Sequence, residues 1–196
     1  MGYPGAIGVL WRIADKVALR PELTPSVARM VASAERAYKK PIKWFAVPQL
    51  FRYERQQKGR LREHFQFNAD VFGELDVAAD AELIALLIDT LRSFGLTAED
   101  FVIRLSSRNA WQDYFSARCH DHTKAYEFFQ IVDKLEREDP VKNDEKLKAL
   151  GFSLDELSRF IAAGEPTAEL KAILDNLGAR GLGDFVKVDY HVIRGL

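Results

Sequence analysis

The sequence predicts an α+β fold: an antiparallel sheet flanked by helices, with a small helical insertion. Three observations predict it. Short stretches at 42–47, 51–54, 64–70, 101–105 and 185–190 read as strands, most of them by alternating side chains. Residues 76–94 carry Leu83, Ile84, Leu87, Leu91 and Phe94 at helical spacing, which predicts a helix with that stripe in the core. Between 117 and 183 every periodic stretch is helical and no strand is found. The sheet core is therefore assigned to 1–116 and 184–196, and the insertion to 117–183.

The chain has 196 residues, of which 47% are hydrophobic, enough for one sizeable core with a smaller appendage. A formal net charge of -1 gives no global basic field to attract nucleic acid, so RNA contacts must come from local patches. A single cysteine, Cys119, excludes an internal disulfide framework and fits a reducing compartment. No signal peptide and no membrane-length apolar run is found, so a cytoplasmic location without membrane contact is expected.

In chain order, residues 1–16 give no clear element, and 17–20 read as a short strand. Thr24 looks like an N-cap with Pro25 at the first helical position. Val27, Met30, Val31, Ala34 and Tyr38 follow at helical spacing as one buried stripe. Residues 42–47 read as a strand that ends at Pro48. The 76–94 helix stops at Gly95. Residues 101–105 alternate as a buried strand, and 111–118 form a short helix. Ser153 and Glu156 have the spacing of a capping box. Residues 185–190 return the chain to the sheet.

The most informative stretch is 51–73, FRYERQQKGRLREHFQFNADVFG. It reads as two strands joined by a basic loop. Arg52 and Glu54 alternate with Phe51 and Tyr53. His64, Gln66, Asn68 and Asp70 alternate with Phe65, Phe67, Ala69 and Val71. Each strand thus has one polar and one apolar face. A solvated sheet shows the same alternation. The residue types point further, because Arg, Glu, His, Gln, Asn and Asp together are a set of fixed donors and acceptors. The loop at 55–62 carries Arg55, Lys58, Arg60 and Arg62 around Gly59, with no acid. Arginine forks match phosphate and carboxylate oxygens bidentately. The polar faces are expected to line one open pocket that holds a polyanion.

These residues resemble motif 2 of the class II aminoacyl-tRNA synthetases, and of the histidyl-tRNA synthetase family within them. Two more segments carry the resemblance. ALRPELTPSVARM at 18–30 is similar to the family's histidine-binding segment, and VIRGL at 192–196 to the start of its second histidine-specific motif. The order and spacing agree along nearly the whole chain. The resemblance covers the middle of a catalytic core. Motif 1, motif 3 and an anticodon-binding domain are not recognisable in these residues.

The resemblance implies a class II synthetase-like fold and a two-step reaction. Histidine's carboxylate attacks the α-phosphorus of ATP, supplied with Mg2+, and gives histidyl-adenylate and pyrophosphate. The histidyl group then passes to the terminal ribose of tRNA(His). It implies that Arg52 meets the histidine carboxylate and the α-phosphate, and that Glu54 holds the adenine amino group. Arg60 reaches the γ-phosphate, and Arg194 is a second catalytic arginine at the α-phosphate. Glu22 and Thr24 take the amino group and ring region of histidine, and Gln66 and Asp70 read the substrate. An acid at Asp70 suits imidazole because it fixes the tautomer through an N–H donor. His64 departs from the family, which usually has Phe there, stacked on adenine. Full-length members are homodimers.

Two readings compete with the enzyme. One is a non-catalytic histidine-binding paralogue resembling the regulatory subunit of ATP phosphoribosyltransferase. The other is an RNA-binding module that uses only the basic loop. The cluster CHDH at 119–122 lacks the second half a zinc site needs, since His64 and His191 are isolated in sequence. GARGLG at 178–183 has no preceding strand and no following helix, so it is not a phosphate-binding fingerprint.

Overall fold

The computed structural model describes residues 8–9, 17–53 and 57–193. The chain divides into two compact units, Met1–Leu75 and Asp76–Leu196.

In the first unit, β1 (Gly8–Val9) pairs antiparallel with β2 (Val17–Ala18). Helix α1 follows at Thr24–Ser33. Thr24 is not its cap. Leu23 already has helical dihedrals, and its carbonyl accepts from the amides of Ser26 at 2.9 Å and Val27 at 3.1 Å. The helix therefore begins one residue earlier than the Thr-Pro pattern implies, leaving Thr24 exposed on its first turn. The expected stripe is only half buried: Val27 and Val31 are in the core, whereas Met30 and Tyr38 are exposed.

Strands β3 (Ile42–Ala46), β4 (Gln49–Phe51), β5 (Glu63–Phe65) and β6 (Asn68–Phe72) form two antiparallel pairs, β3 with β6 and β4 with β5. The two pairs share one register. Ala46 faces Asn68, and pairing resumes without a slip where Gln49 faces Phe65. Between them Pro48 has no N–H to give, which breaks the ladder, but its carbonyl still accepts from Gln66 at 3.1 Å. The hairpin is thus one long ribbon. The expected first strand, 51–54, is shorter and earlier in the chain, ending at Phe51.

One face of the ribbon is packed. Ile42 is buried against Val27 and Val31 of α1, with Leu23, Trp44 and Phe72 against the same cluster. His64, Gln66, Asn68 and Asp70 share this face by the period of two, and all are half-buried. The opposite face carries Phe45, Phe65 and Phe67, exposed at 74%, 70% and 47%. The polar face, expected to line one open pocket, is instead the face that α1 packs against at its Ile42 and Phe72 end. Alternation fixes that the faces differ, and α1 decides which of them is covered.

In the second unit, helix α2 (Ala78–Ser93) ends where Gly95 adopts φ of 88° and donates to the Arg92 carbonyl at 2.9 Å. Its buried face is Ala81, Ala85 and Ile88. The expected stripe is buried only in part: Ile84 packs against this cluster and Leu83 and Leu91 are half-buried, whereas Leu87 is 46% and Phe94 79% exposed. The small alanines face Ile173 and Leu177 of α7 (Ala168–Ala179), where short side chains let two helices approach closely.

Strand β7 (Ile103–Leu105) leads into α3 (Arg108–Ser116), capped by the Ser107 hydroxyl. Helices α4 (Ala125–Lys134), α5 (Pro140–Leu150) and α6 (Leu154–Ala163) then precede α7. Residues 117–183 contain helices and turns only, as expected. Trp111, Phe115, Phe128, Leu147 and Leu157 are fully buried in one cluster joining α3 to α6, with Tyr190 in the same cluster. The helices of 117–183 therefore share their cores with α2, α3 and the end of the unit. The Ser153 hydroxyl caps α6, at 3.5 Å from the Glu156 amide. The chain returns as β8 (Val186–Val188), which pairs with β7 in parallel. A parallel pair needs a crossover, and the helical stretch provides it.

Candidate functional site

The site begins with how the ribbon holds the segment before α1. The Phe51 amide donates to the Arg20 carbonyl at 3.0 Å, and the Arg20 guanidinium donates to the Gln49 carbonyl at 2.9 Å. Arg52 then donates from Nε to the Pro21 carbonyl at 3.0 Å. These three bonds dock residues 20 and 21 against β4 and the residue after it. They bring the segment of Glu22 and Thr24 to Arg52, although Pro21 and Arg52 are 31 positions apart in sequence.

Arg52 sits where the ladder meets the loop. Its amide donates to the Arg62 carbonyl at 2.9 Å, continuing the register one step beyond Phe51 and Glu63. Its side chain is half-buried, which holds a planar cation at the edge of the covered face. His64 lies on the same face opposite Leu50, Gln66 opposite Pro48, and Asp70 opposite Trp44. From the level of Arg52, Gln66 is roughly 13 Å along the ribbon and Asp70 roughly as far again. The face therefore runs from a cationic end at the loop to an acceptor-bearing end at Asp70.

The loop itself closes on a turn. Gly59 has φ of 82°, and the Arg60 amide donates to the Gln57 carbonyl at 3.1 Å. A left-handed residue is needed there, and glycine supplies it without strain. Arg60 leaves this turn exposed. Arg62 lies over the Tyr53 ring, its guanidinium carbon 4.4 Å from the ring centre. An open cleft follows the strand leaving the loop, lined by Leu61, Arg62, Glu63, His64 and Phe65.

Arg52, His64, Gln66 and Asp70 thus lie on one face of the ribbon, spread along its length, with residues 20 and 21 bonded at the Arg52 end. Arg60 stands apart on the loop. Glu54 and Arg194 lie outside the described residues. A cleft of about 220 Å3 in the second unit, bordered by Glu136, Asn143, Ser158 and His191, contains none of the expected residues. Among the described residues no group of three His, Cys, Asp or Glu side chains could hold a metal, the 119–122 cluster included.

Two features were given no role by the sequence. Asn68 lies between Gln66 and Asp70 on the site face, and its side-chain oxygen is buried with no protein partner among the described residues. The second is an ionic cluster. Arg104 of β7 binds Asp189 at 2.7 Å and Glu136 at 3.0 Å, and the His191 ring binds Asp189 at 2.9 Å. The signal for it was present: an arginine inside a buried alternating strand requires a carboxylate partner.

Comparison with known proteins shows what the chain is similar to. The family model described as histidyl-tRNA synthetase matches residues 11–195. The match takes in part of the 1–16 stretch that carries no recognisable motif. The histidine–tRNA ligase of Opitutus terrae is 43% identical over 92% of this chain, and the alignment covers 46% of that protein. The chloroplastic and mitochondrial histidine–tRNA ligase of Arabidopsis thaliana is 36% identical, over 92% of this chain and 40% of its own length. The chain spans less than half the length of these curated relatives. Among solved structures, histidyl-tRNA synthetase from Nostoc sp. PCC 7120 superposes with a TM-score of 0.78 at 20% identity, over 97% of this chain and 49% of that one. An ATP phosphoribosyltransferase regulatory subunit/histidyl-tRNA synthetase from Bacillus halodurans gives 0.81 at 21% identity, over 98% and 55%. At these identities the two structures show a shared fold.

Proposed function

The chain belongs to the histidyl-tRNA synthetase family, and from that premise we propose that it carries the histidine- and ATP-binding face of a histidine–tRNA ligase core. The observation that carries the reading is the shared face of Arg52, His64, Gln66 and Asp70, with residues 20 and 21 bonded alongside.

Histidine's carboxylate and the α-phosphate of ATP repel each other, so the first requirement is a cation between them. Arg52 supplies it, held by the Pro21 carbonyl so that its charge does not wander. The carboxylate oxygen forms a bond to the α-phosphorus, the bridging bond to the β-phosphate breaks, and pyrophosphate leaves with the electron pair. No enzyme nucleophile takes part. Arg60 on the loop takes the γ-phosphate, Glu54 and His64 take the adenine, and Arg194 meets the α-phosphate. Gln66 and Asp70 accept from the amino group and the imidazole N–H, and Glu22 and Thr24 take the amino group and ring region of histidine. Mg2+ enters with ATP as part of the substrate, held by the phosphates. The adenylate then passes its histidyl group to tRNA(His). We read the whole enzyme as a cytoplasmic homodimer. Among the described residues no helix is long and apolar enough to cross a membrane.

The competing reading is a histidine-binding regulatory paralogue, and the name of the Bacillus halodurans structure joins both roles in that protein. Arg52 and Arg60 favour the enzyme, because a protein that only senses histidine has no use for phosphate-facing arginines. Separate calorimetric titrations of histidine, ATP and tRNA decide between them. The enzyme reading expects binding of histidine and of ATP. Histidine binding alone would overturn it in favour of the regulator, and RNA binding alone in favour of a nucleic-acid module.

A further inference from the structure

We propose that Asn68 is a positioning residue for Gln66: its side-chain oxygen takes the Gln66 amide N–H2 when histidine binds, and so leaves the Gln66 oxygen facing the substrate's ammonium. The proposal rests on the functional reading above, in which Gln66 accepts from the amino group of histidine.

The Asn68 oxygen is shielded from solvent and has no hydrogen-bond partner among the described residues. A carbonyl oxygen in that state has lost its water without gaining a bond, so a donor that reaches it is strongly favoured. The strand register decides which donors are near. Asn68 faces Ala46 across the ladder, and Asp70 faces Trp44. Gln66 lies opposite Pro48, whose carbonyl holds the Gln66 backbone amide at 3.1 Å. Residues two apart on one face are roughly 7 Å apart along the strand, within reach of a glutamine side chain. Ala46 and Pro48 carry no side-chain donor, and an ionised Asp70 only accepts. Trp44 has an indole N–H, but its ring is committed to Tyr38, edge to face with centres 5.2 Å apart, and to the cluster around α1. Gln66 is the neighbour with an N–H to give.

The chemistry of an amide makes this neighbour matter. Gln66 carries an acceptor and a donor at the same distance from the backbone, and only the oxygen suits an ammonium, which has three N–H donors and no acceptor. With the N–H2 end turned to the substrate, two sets of donors would meet. Nothing in glutamine itself chooses between the two ends. Asn68 chooses, because its buried oxygen is satisfied only when the Gln66 N–H2 points to it. The ring of the substrate does not compete for this oxygen, since neutral imidazole has one N–H and Asp70 takes it. The small methyl of Ala46 opposite Asn68 leaves room for the two amides to meet.

The test is an NMR titration of the 196-residue chain and its Asn68→Leu and Asn68→Asp variants with two ligands. One is histidine. The other is imidazolepropionate, which keeps the ring and the carboxylate but has no amino group. Asn68→Leu keeps the side-chain size and removes the acceptor. It is expected to bind histidine about tenfold more weakly, with the affinity for imidazolepropionate within about twofold of the parent. Asn68→Asp, which keeps an acceptor, should bring histidine binding back to within about threefold. If Asn68→Leu does not fold, Asn68→Ala takes its place with the same split expected. Equal weakening of both ligands would mean a structural role alone and would overturn the proposal. Histidine binding that is unchanged in Asn68→Leu would overturn it too, and would leave the functional reading standing. A parent chain that binds no histidine would overturn the functional reading and this proposal with it.

Discussion

Arg52→Lys separates the two tasks that the structure gives to one side chain. Arginine donates from Nε to the Pro21 carbonyl at 3.0 Å while its terminal nitrogens extend beyond that bond. Lysine has one ammonium at the end of a flexible stem, and it cannot hold the carbonyl and a ligand carboxylate at once. If the ammonium follows the ligand, the Pro21 carbonyl loses its donor, which costs about 1 kcal/mol of stability. If it stays at Pro21, the ligand loses a charge-assisted hydrogen bond of about 2 kcal/mol, or roughly thirtyfold in affinity. Calorimetric titration of histidine together with urea unfolding reads both outcomes. Histidine affinity within threefold of the parent, with stability unchanged, would refute the placement of Arg52 between Pro21 and the substrate.

Three further outcomes follow from the fold. Burial alone would push the Asp189 carboxyl up, but hydrogen bonds from Arg104 and His191 outweigh it and hold the group at about 2 rather than its ordinary 3.8. A depressed carboxyl contributes stability above its unfolded value and loses it as pH falls, so about 2 kcal/mol should disappear between pH 4 and 2 in urea titrations, and much less in Asp189→Asn. Trp111 is fully buried against Tyr114, Phe128, Phe160 and Tyr190, and Trp111→Ala should cost about 3–5 kcal/mol by urea or thermal unfolding. Phe65 is 70% exposed, and Phe65→Ser should change unfolding stability by no more than about 0.5 kcal/mol; a loss above about 2 kcal/mol would mean that the aromatic face is covered in solution.

The hairpin was legible because its two strands alternate cleanly and Pro48 cannot donate to a ladder. The helices of 117–183 were legible from periodicity, and Gly151 and Gly164, both left-handed, end two of them. What failed was the choice of face. On α2 the leucines outrank the alanines in hydrophobicity, yet Ala81 and Ala85 are buried because α7 approaches closely only over small side chains. On the ribbon, Phe65 and Phe67 outrank Gln66 and Asp70, yet α1 covers the polar side through Ile42, Trp44 and Phe72. Hydrophobicity scores a residue, whereas burial depends on which neighbour arrives. The candidate site was legible as a set of residue types, and the bond from Arg52 to Pro21 was not, because a backbone carbonyl leaves no trace in side-chain pattern. Arg104 in its strand did ask for a partner, and Asp189 lies beyond the reach of local spacing.

If the polar face of the ribbon activates histidine, histidine-dependent ATP–pyrophosphate exchange reads that step itself. Exchange by the purified chain should depend on histidine and fall to background in Arg52→Ala. Exchange that persists undiminished in Arg52→Ala would contradict it, as would a parent chain that binds histidine and ATP together yet returns no label to ATP.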